Sequence, residues 1–128
     1  MKIEYECSGP GKVSVWCGYL GSKGNLSKYT DILYTDDGDA YSLFLNEFPI
    51  VDFDEDFTEK FYFENKQILF ETLPMFSYAE TFIEKIAADL ETADTENFDS
   101  IFFVYDCDAS FMKDIQDTKM KLLGVYDY

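Results

Sequence analysis

The 128-residue chain contains no histidine, and all ten of its bases are lysine, so it has no arginine either. Without histidine it lacks the one side chain that titrates near neutral pH by default, and with it the commonest general base. Without arginine it lacks the planar fork that grips a phosphate or carboxylate at two points. Both absences weigh against catalysis. Long apolar runs are missing too: no stretch approaches the ~18–20 residues that span a bilayer. The opening MKIEYECSGPGK has no apolar core of a secretory signal, which sets the expectation of a cytoplasmic protein. Cysteine is scarce. Cys7, Cys17 and Cys107 are odd in number and form no C-x-x-C pair, so buried or idle thiols are expected. A zinc site would need a further nitrogen or sulfur ligand that the chain does not have.

Aromatic residues, by contrast, make up 19% of the chain, mostly phenylalanine and tyrosine, and the net charge is −16. The length suits a single domain over residues 1–128, with 1–11 as a lead-in, and the aromatic content suits a packed core rather than disorder. The charge is unevenly spread. Residues 31–117 hold 23 acids against four lysines, while the segments on either side are slightly positive. Such a body repels nucleic acid and anionic membranes and attracts basic partners at long range. No cofactor and no small-molecule substrate are implied by any motif.

SGPG (8–11) reads as a turn, and KVSVWCGYL (12–20) as a strand with Val13, Val15 and Cys17 on one face and Ser14 and Trp16 on the other. NLSKYTDIL has the length of a short helix. TDDGDA (35–40) is a turn around Gly38, after which Asp39 is placed to cap a helix over 40–47 that Pro49 ends. FTEKFYFE (57–64) reads as a half-buried strand with Phe57, Phe61 and Phe63 on one face. Ser77 to Glu80 fits an S-x-x-E capping box, followed by an apolar stripe of Ala79, Phe82, Ile83, Ile86, Ala87 and Leu90. SIFFVYD (100–106) has the unbroken apolar character of a central strand, and KLLGVYDY (121–128) reads as a last strand. The expected fold is α+β: one domain, a mainly antiparallel sheet with two to three helices packed on it.

The segment IVDFDEDFTEKF (50–61) crowds Asp52, Asp54, Glu55, Asp56 and Glu59 between three phenylalanines. As a calcium loop it fails at both diagnostic positions: Phe57 stands where the glycine of the sharp turn belongs, and Phe63 where the bidentate glutamate belongs. The DDGD turn fails in the same way. A catalytic carboxylate pair has nothing to distinguish it among 26 acids. Two readings remain for the acids, a solvated surface or a face built for a basic partner. An ordinary surface intersperses both signs, and 87 consecutive residues with four bases do not. The candidate partner contacts are Asp36, Asp37, Asp39, Asp52, Asp54, Glu55, Asp56 and Glu59, with Tyr41 and Tyr78 as aromatic anchors; Tyr19 and Tyr34 share their polar setting. Phe53, Phe57, Phe61, Phe63, Phe102 and Phe103 are expected in the core. Trp16 can be read as core or as interface.

VSVWCGYL, DDGD, DFDEDF, FSYAETFI, FFVYD and LLGVYDY, in this order from about residue 12 to the end, resemble the immunity protein 22 family. The matching residues are Trp16 and Gly18, Asp37 to Asp39 with Gly38 between, Asp54, Asp56 and Phe57, Ser77, Tyr78 and Phe82, Tyr105 and Asp106, and Leu123 and Gly124. Trp16, Gly18, Gly38, Phe57, Ser77, Phe82, Tyr105, Asp106 and Gly124 are read as marking the fold. Where the resemblance implies an acidic helix after the first strand, GSKGNLSKY has two lysines and no acid. The resemblance implies a small antidote of a bacterial polymorphic toxin or contact-dependent inhibition system, not an enzyme. Its partner would be a cognate toxin domain in a 1:1 complex, expected to be a nuclease with a basic cleft. A different class of function is a stand-alone acidic mimic of nucleic acid that blocks DNA- or RNA-binding proteins; a third is a carboxylate-based metal enzyme.

Overall fold

The computed structural model describes residues 5–38, 40–51, 53–92, 98–115 and 117–128. In chain order the elements are β1 (Tyr5–Glu6), β2 (Ser8–Gly18), α1 (Lys23–Thr30), β3 (Leu33–Tyr34), β4 (Ala40–Tyr41), α2 (Leu43–Glu47), β5 (Ile50–Val51), β6 (Thr58–Tyr62), α3 (Lys66–Thr72), α4 (Ile83–Thr92), β7 (Ser100–Cys107) and β8 (Met120–Asp127). Strands β6, β7, β2 and β8 form, in that order, one antiparallel sheet. Two short ladders, β1 with β5 and β3 with β4, lie outside it. The fold is α+β, with helices on both faces of the sheet.

The period-two pattern of β2 explains the two cores. Val13, Val15 and Cys17 pair with Tyr105, Phe103 and Ile101 of β7, and all six side chains enter one cluster, together with Phe63 after β6 and Leu69, Leu73, Phe82, Ile86 and Leu90 from α3, α4 and the segment between them. Trp16 points the other way, opposite Phe102, into a second cluster with Tyr29, Phe44 and Phe48 beside α1 and α2. Its ring is fully buried, 4.9 Å edge-on to Phe44, so Trp16 is core. SIFFVYD must satisfy both clusters at once, which is why it alternates less than β2 does. Gly18 is required by close approach: a Cβ there would come within 2.3 Å of the Lys119 carbonyl oxygen.

Three local expectations are corrected by tertiary contacts. Residues 8–11 are not a free turn but part of β2. The Tyr128 N–H bonds to the Gly11 carbonyl and the Gly11 N–H to Asp106, so the Pro-Gly kink is absorbed as a register shift between Ser8 and Val13. The helix expected over 40–47 is only Leu43–Glu47. Ser42 caps it by accepting from the Leu45 N–H, because Ala40 and Tyr41 are held in a ladder with Leu33 and Tyr34. Asp39 itself lies outside the described residues. The Ser77 capping box does not form. Glu59 takes the Ser77 N–H, Tyr78 adopts the left-handed region at φ 60°, a 3₁₀ turn covers Ala79–Thr81, and α4 starts at Ile83. Its apolar stripe still reaches the core through Ala79, Phe82, Ile86 and Leu90. The short helix expected in NLSKYTDIL forms as α1, without acids: Ser22 accepts from the Asn25 N–H, and Asn25 in turn donates to the Leu20 carbonyl. Helix α3, capped by Asn65, has no counterpart in the periodicity reading.

Candidate functional site

The carboxylates of residues 54–59 divide between the two sides of the sheet. Asp54 folds the loop on itself: its Oδ1 accepts from the Asp56 N–H at 2.9 Å and its carbonyl from the Phe57 N–H at 2.9 Å. That turn leaves Glu55 and Asp56 in water. Glu59 has the strand parity of Phe57 and Phe61 and turns inward. There its Oε1 accepts from the Tyr105 hydroxyl at 2.6 Å and from the Ser77 N–H at 2.9 Å.

On the outward side, the Tyr34 hydroxyl donates to Glu55 Oε2 at 2.6 Å. This bond brings the β3–β4 hairpin beside the acidic loop, and with it Asp36 and Asp37 at the tip. Gly38 closes that tip at φ +85°, a region that disfavours side chains, with its N–H bonded to the Thr35 carbonyl. Leu33 and Tyr41 are cross-strand neighbours in the same hairpin, and both are exposed, as are Tyr34 and Leu43. Large apolar and aromatic side chains in water, framed by carboxylates, have the make-up of a binding surface rather than a charge run alone. The Glu55 carboxylate next to Tyr34 raises that phenol above its ordinary pKa.

Beside the 54–56 loop a groove of about 250 Å³ opens between α1, α2 and β6. Phe44, Phe53, Phe102 and Ile32 give it an apolar lining, and Asp31, Glu55 and Asp56 line it with carboxylates. Lys60 lies in it, with Nζ 3.0 Å from Thr30 Oγ1 and 3.0 Å from Asp31 Oδ1.

On the other side the same residue types serve the fold. Phe57, Tyr78, Tyr105 and Tyr128 gather around Glu59 and Asp106; Phe57 stacks on Tyr105 at 4.6 Å and Tyr78 meets Tyr128 at 4.8 Å. Asp106, itself left-handed at φ 54°, accepts from the Gly11 N–H and the Tyr128 hydroxyl. Burial, and then Asp106, push Tyr128 up to about 12. Burial and then Glu59 raise Tyr105 further. With no arginine or histidine available, tyrosine hydroxyls and backbone N–H groups are the donors that hold inward carboxylates. Tyr29 donates to Glu47 at 2.5 Å and Tyr126 to Asp89 at 2.6 Å, while the Leu20 and Gly21 N–H groups donate to buried Asp99 at 2.8 Å each. The ion pairs among the described residues are Lys12 with Asp127 and Lys60 with Asp31.

Of the residues singled out in the sequence, Asp36, Asp37 and Tyr41 belong to the hairpin and Asp54, Glu55 and Asp56 to the loop, and the Tyr34–Glu55 bond links the two segments. Glu59 lies on the opposite face as an internal acceptor, Tyr78 lies on that face among the tyrosines, and Asp39 and Asp52 are outside the described residues. Leu33, Leu43, Asp31 and Lys60 were not anticipated. Lys60 did carry a signal, as the only base between Lys28 and Lys66 in the most acidic part of the chain.

A family model described as immunity protein 22 matches residues 13–128. The chain belongs to the immunity protein 22 family. No curated protein and no solved structure matches it. An immunity-protein family implies a toxin as partner. The family-motif residues Trp16, Gly18, Phe57, Ser77, Phe82, Tyr105 and Asp106 have structural work in this family member, in the two clusters, the close approach of β8 and the Glu59 and Asp106 bonds. Gly124 sits at the β8 bulge, where a Cβ would meet the Tyr126 ring. Among the described residues no group of three or more acidic or cysteine side chains is arranged to hold a metal, and no helix is long and apolar enough to cross a membrane.

Proposed function

We propose that this immunity protein binds a cognate toxin domain one-to-one in the bacterial cytoplasm, as the antidote of a polymorphic toxin or contact-dependent inhibition system. It acts by occlusion, without catalysis. The toxin is a nuclease whose cleft is basic because it must hold phosphates; carboxylates of the hairpin and the 54–56 loop take the phosphate positions. The observation that carries this reading is the Tyr34–Glu55 bond, which ties the acidic loop to a hairpin with exposed Leu33, Tyr34 and Tyr41, in a chain of net charge −16. Charge of this size steers encounter, to about 10⁸ M⁻¹s⁻¹ or faster at low salt, while the apolar and aromatic side chains supply the desolvated centre.

The test pairs the protein with the toxin encoded beside it. Association kinetics are measured at several salt concentrations for wild type and for Asp36→Lys/Asp37→Lys/Asp56→Lys, three positions whose side chains face water. Association about tenfold slower or more, with a flatter salt dependence, is expected. Unchanged kinetics in the folded triple variant would move the interface elsewhere. Equal binding to many unrelated basic proteins would replace the antidote reading with the nucleic-acid mimic.

A further inference from the structure

We infer that the groove beside the 54–56 loop is a socket for one basic side chain of the partner, an arginine, and that Lys60 is its resident competitor. The inference rests on the toxin reading only for the source of that side chain. Three features of the groove point the same way. Phe53, half-buried in its lining beside the buried Phe44 and Phe102, offers a ring to the aliphatic stem and flat face of a guanidinium, which stacks on aromatic rings and sheds water more readily than an ammonium. Its carboxylates are in excess: Asp31 is paired with Lys60, but among the described residues no ion pair reaches Glu55 or Asp56. Its volume of about 250 Å³ is that of a side chain rather than a drug-sized ligand.

Lys60 shows that a cation on an aliphatic stem already sits there, held by Thr30 and Asp31. The lysine neutralises only one of the three carboxylates, so the groove keeps a net negative charge. Tyr34 holds Glu55 from outside, which orients that carboxylate before any partner arrives. An arginine inserted beside the 54–56 loop meets Glu55 and Asp56 and lies close to the Lys60 ammonium. Removing the lysine charge therefore strengthens binding, which a merely structural Lys60–Asp31 pair would not do.

The experiment needs no toxin. Amide and side-chain NMR spectra of the full chain are titrated with N-acetyl-arginine methylamide and, as the uncharged isostere, N-acetyl-citrulline methylamide. The arginine probe is expected to saturate shifts at Thr30, Phe53, Thr58 and Phe102, with the citrulline probe at least about tenfold weaker. Lys60→Met should tighten the arginine probe about threefold, and Glu55→Gln with Asp56→Asn should weaken it about tenfold. The acid-to-amide variant lies in the exposed loop, so it remains informative if Lys60→Met disturbs the fold. Non-saturating shifts spread over all acidic surfaces, equal binding of citrulline, or Lys60→Met that binds no tighter in a folded protein would each overturn the socket. Protection of toxin-expressing cells is scored separately: protection without arginine binding sinks the socket and leaves the antidote standing, and arginine binding without protection does the reverse.

Discussion

Tyr34 and Tyr105 both donate to a glutamate at 2.6 Å, and there the likeness ends. Tyr34 and Glu55 lie in water and clasp the hairpin to a loop whose remaining carboxylates have no ion pair among the described residues. Tyr105 and Glu59, four residues along from Glu55, lie against the core, where the same kind of bond replaces a local helix cap and joins β6, β7 and the segment before α4. One short acidic stretch therefore serves two regions, one built for the fold and one left facing outward. The difference is burial. An inward carboxylate must be fully bonded or it is costly, whereas an outward one keeps its water until a partner displaces it.

High pH should separate the regions most strongly. Burial and carboxylate neighbours raise Tyr29, Tyr105 and Tyr126, so the folded chain keeps phenolic protons that the unfolded chain loses. Stability is then intact below about pH 10 and falls as pH rises above it, by about 1.4 kcal/mol per pH unit for each of these tyrosines. Denaturant unfolding at pH 9 to 11 checks this; a flat profile would mean the hydroxyls are not held. Next in size, Tyr105→Ala should cost about 3–5 kcal/mol by emptying a site between Phe57, Phe103 and Glu59.

A smaller effect is expected from Glu59→Ala, about 1–3 kcal/mol, because the Ser77 N–H loses its acceptor and the Tyr105 hydroxyl keeps only the Ser77 carbonyl. Thermal unfolding reads this, and the folded variant should bind partner with an unchanged association rate. The smallest stability change, within about 0.5 kcal/mol, is expected for Asp36→Lys with Asp37→Lys, the exchange that slows association most per kcal/mol of fold disturbed. If the two glutamate and aspartate variants behaved alike in both assays, the division between inward and outward carboxylates would be wrong.

How legible these regions were depends on how local their causes are. The strand 12–18 and the run 100–106 were readable because alternation and apolar composition are properties of neighbours in the chain. Even the inward turn of Glu59 was written in the alternation, since it shares the parity of Phe57 and Phe61. The Ser77 box was misread for the opposite reason. Its local bonds are sound, but Glu59, 18 residues away, offers the Ser77 N–H a better-placed acceptor once β6 packs. Ser42 in place of Asp39 as the cap of α2 follows from the same kind of competition, with β3–β4 pairing holding Ala40 and Tyr41 extended.

By itself the sequence determined the chemistry that is possible: no histidine, no arginine, a −16 charge concentrated in residues 31–117, and two-faced apolar strands that require layers on both sides of a sheet. It also carried the family, through motifs spread from Trp16 to Gly124. The tertiary structure alone decided which acids are used up and which remain. Only folding sets Tyr34 against Glu55, 21 positions away, and lays Lys60 between Thr30 and Asp31 in a groove lined by Phe44 and Phe102. Those partners lie far apart along the chain, and hydrogen bonds and burial act over distances in space that sequence spacing does not encode.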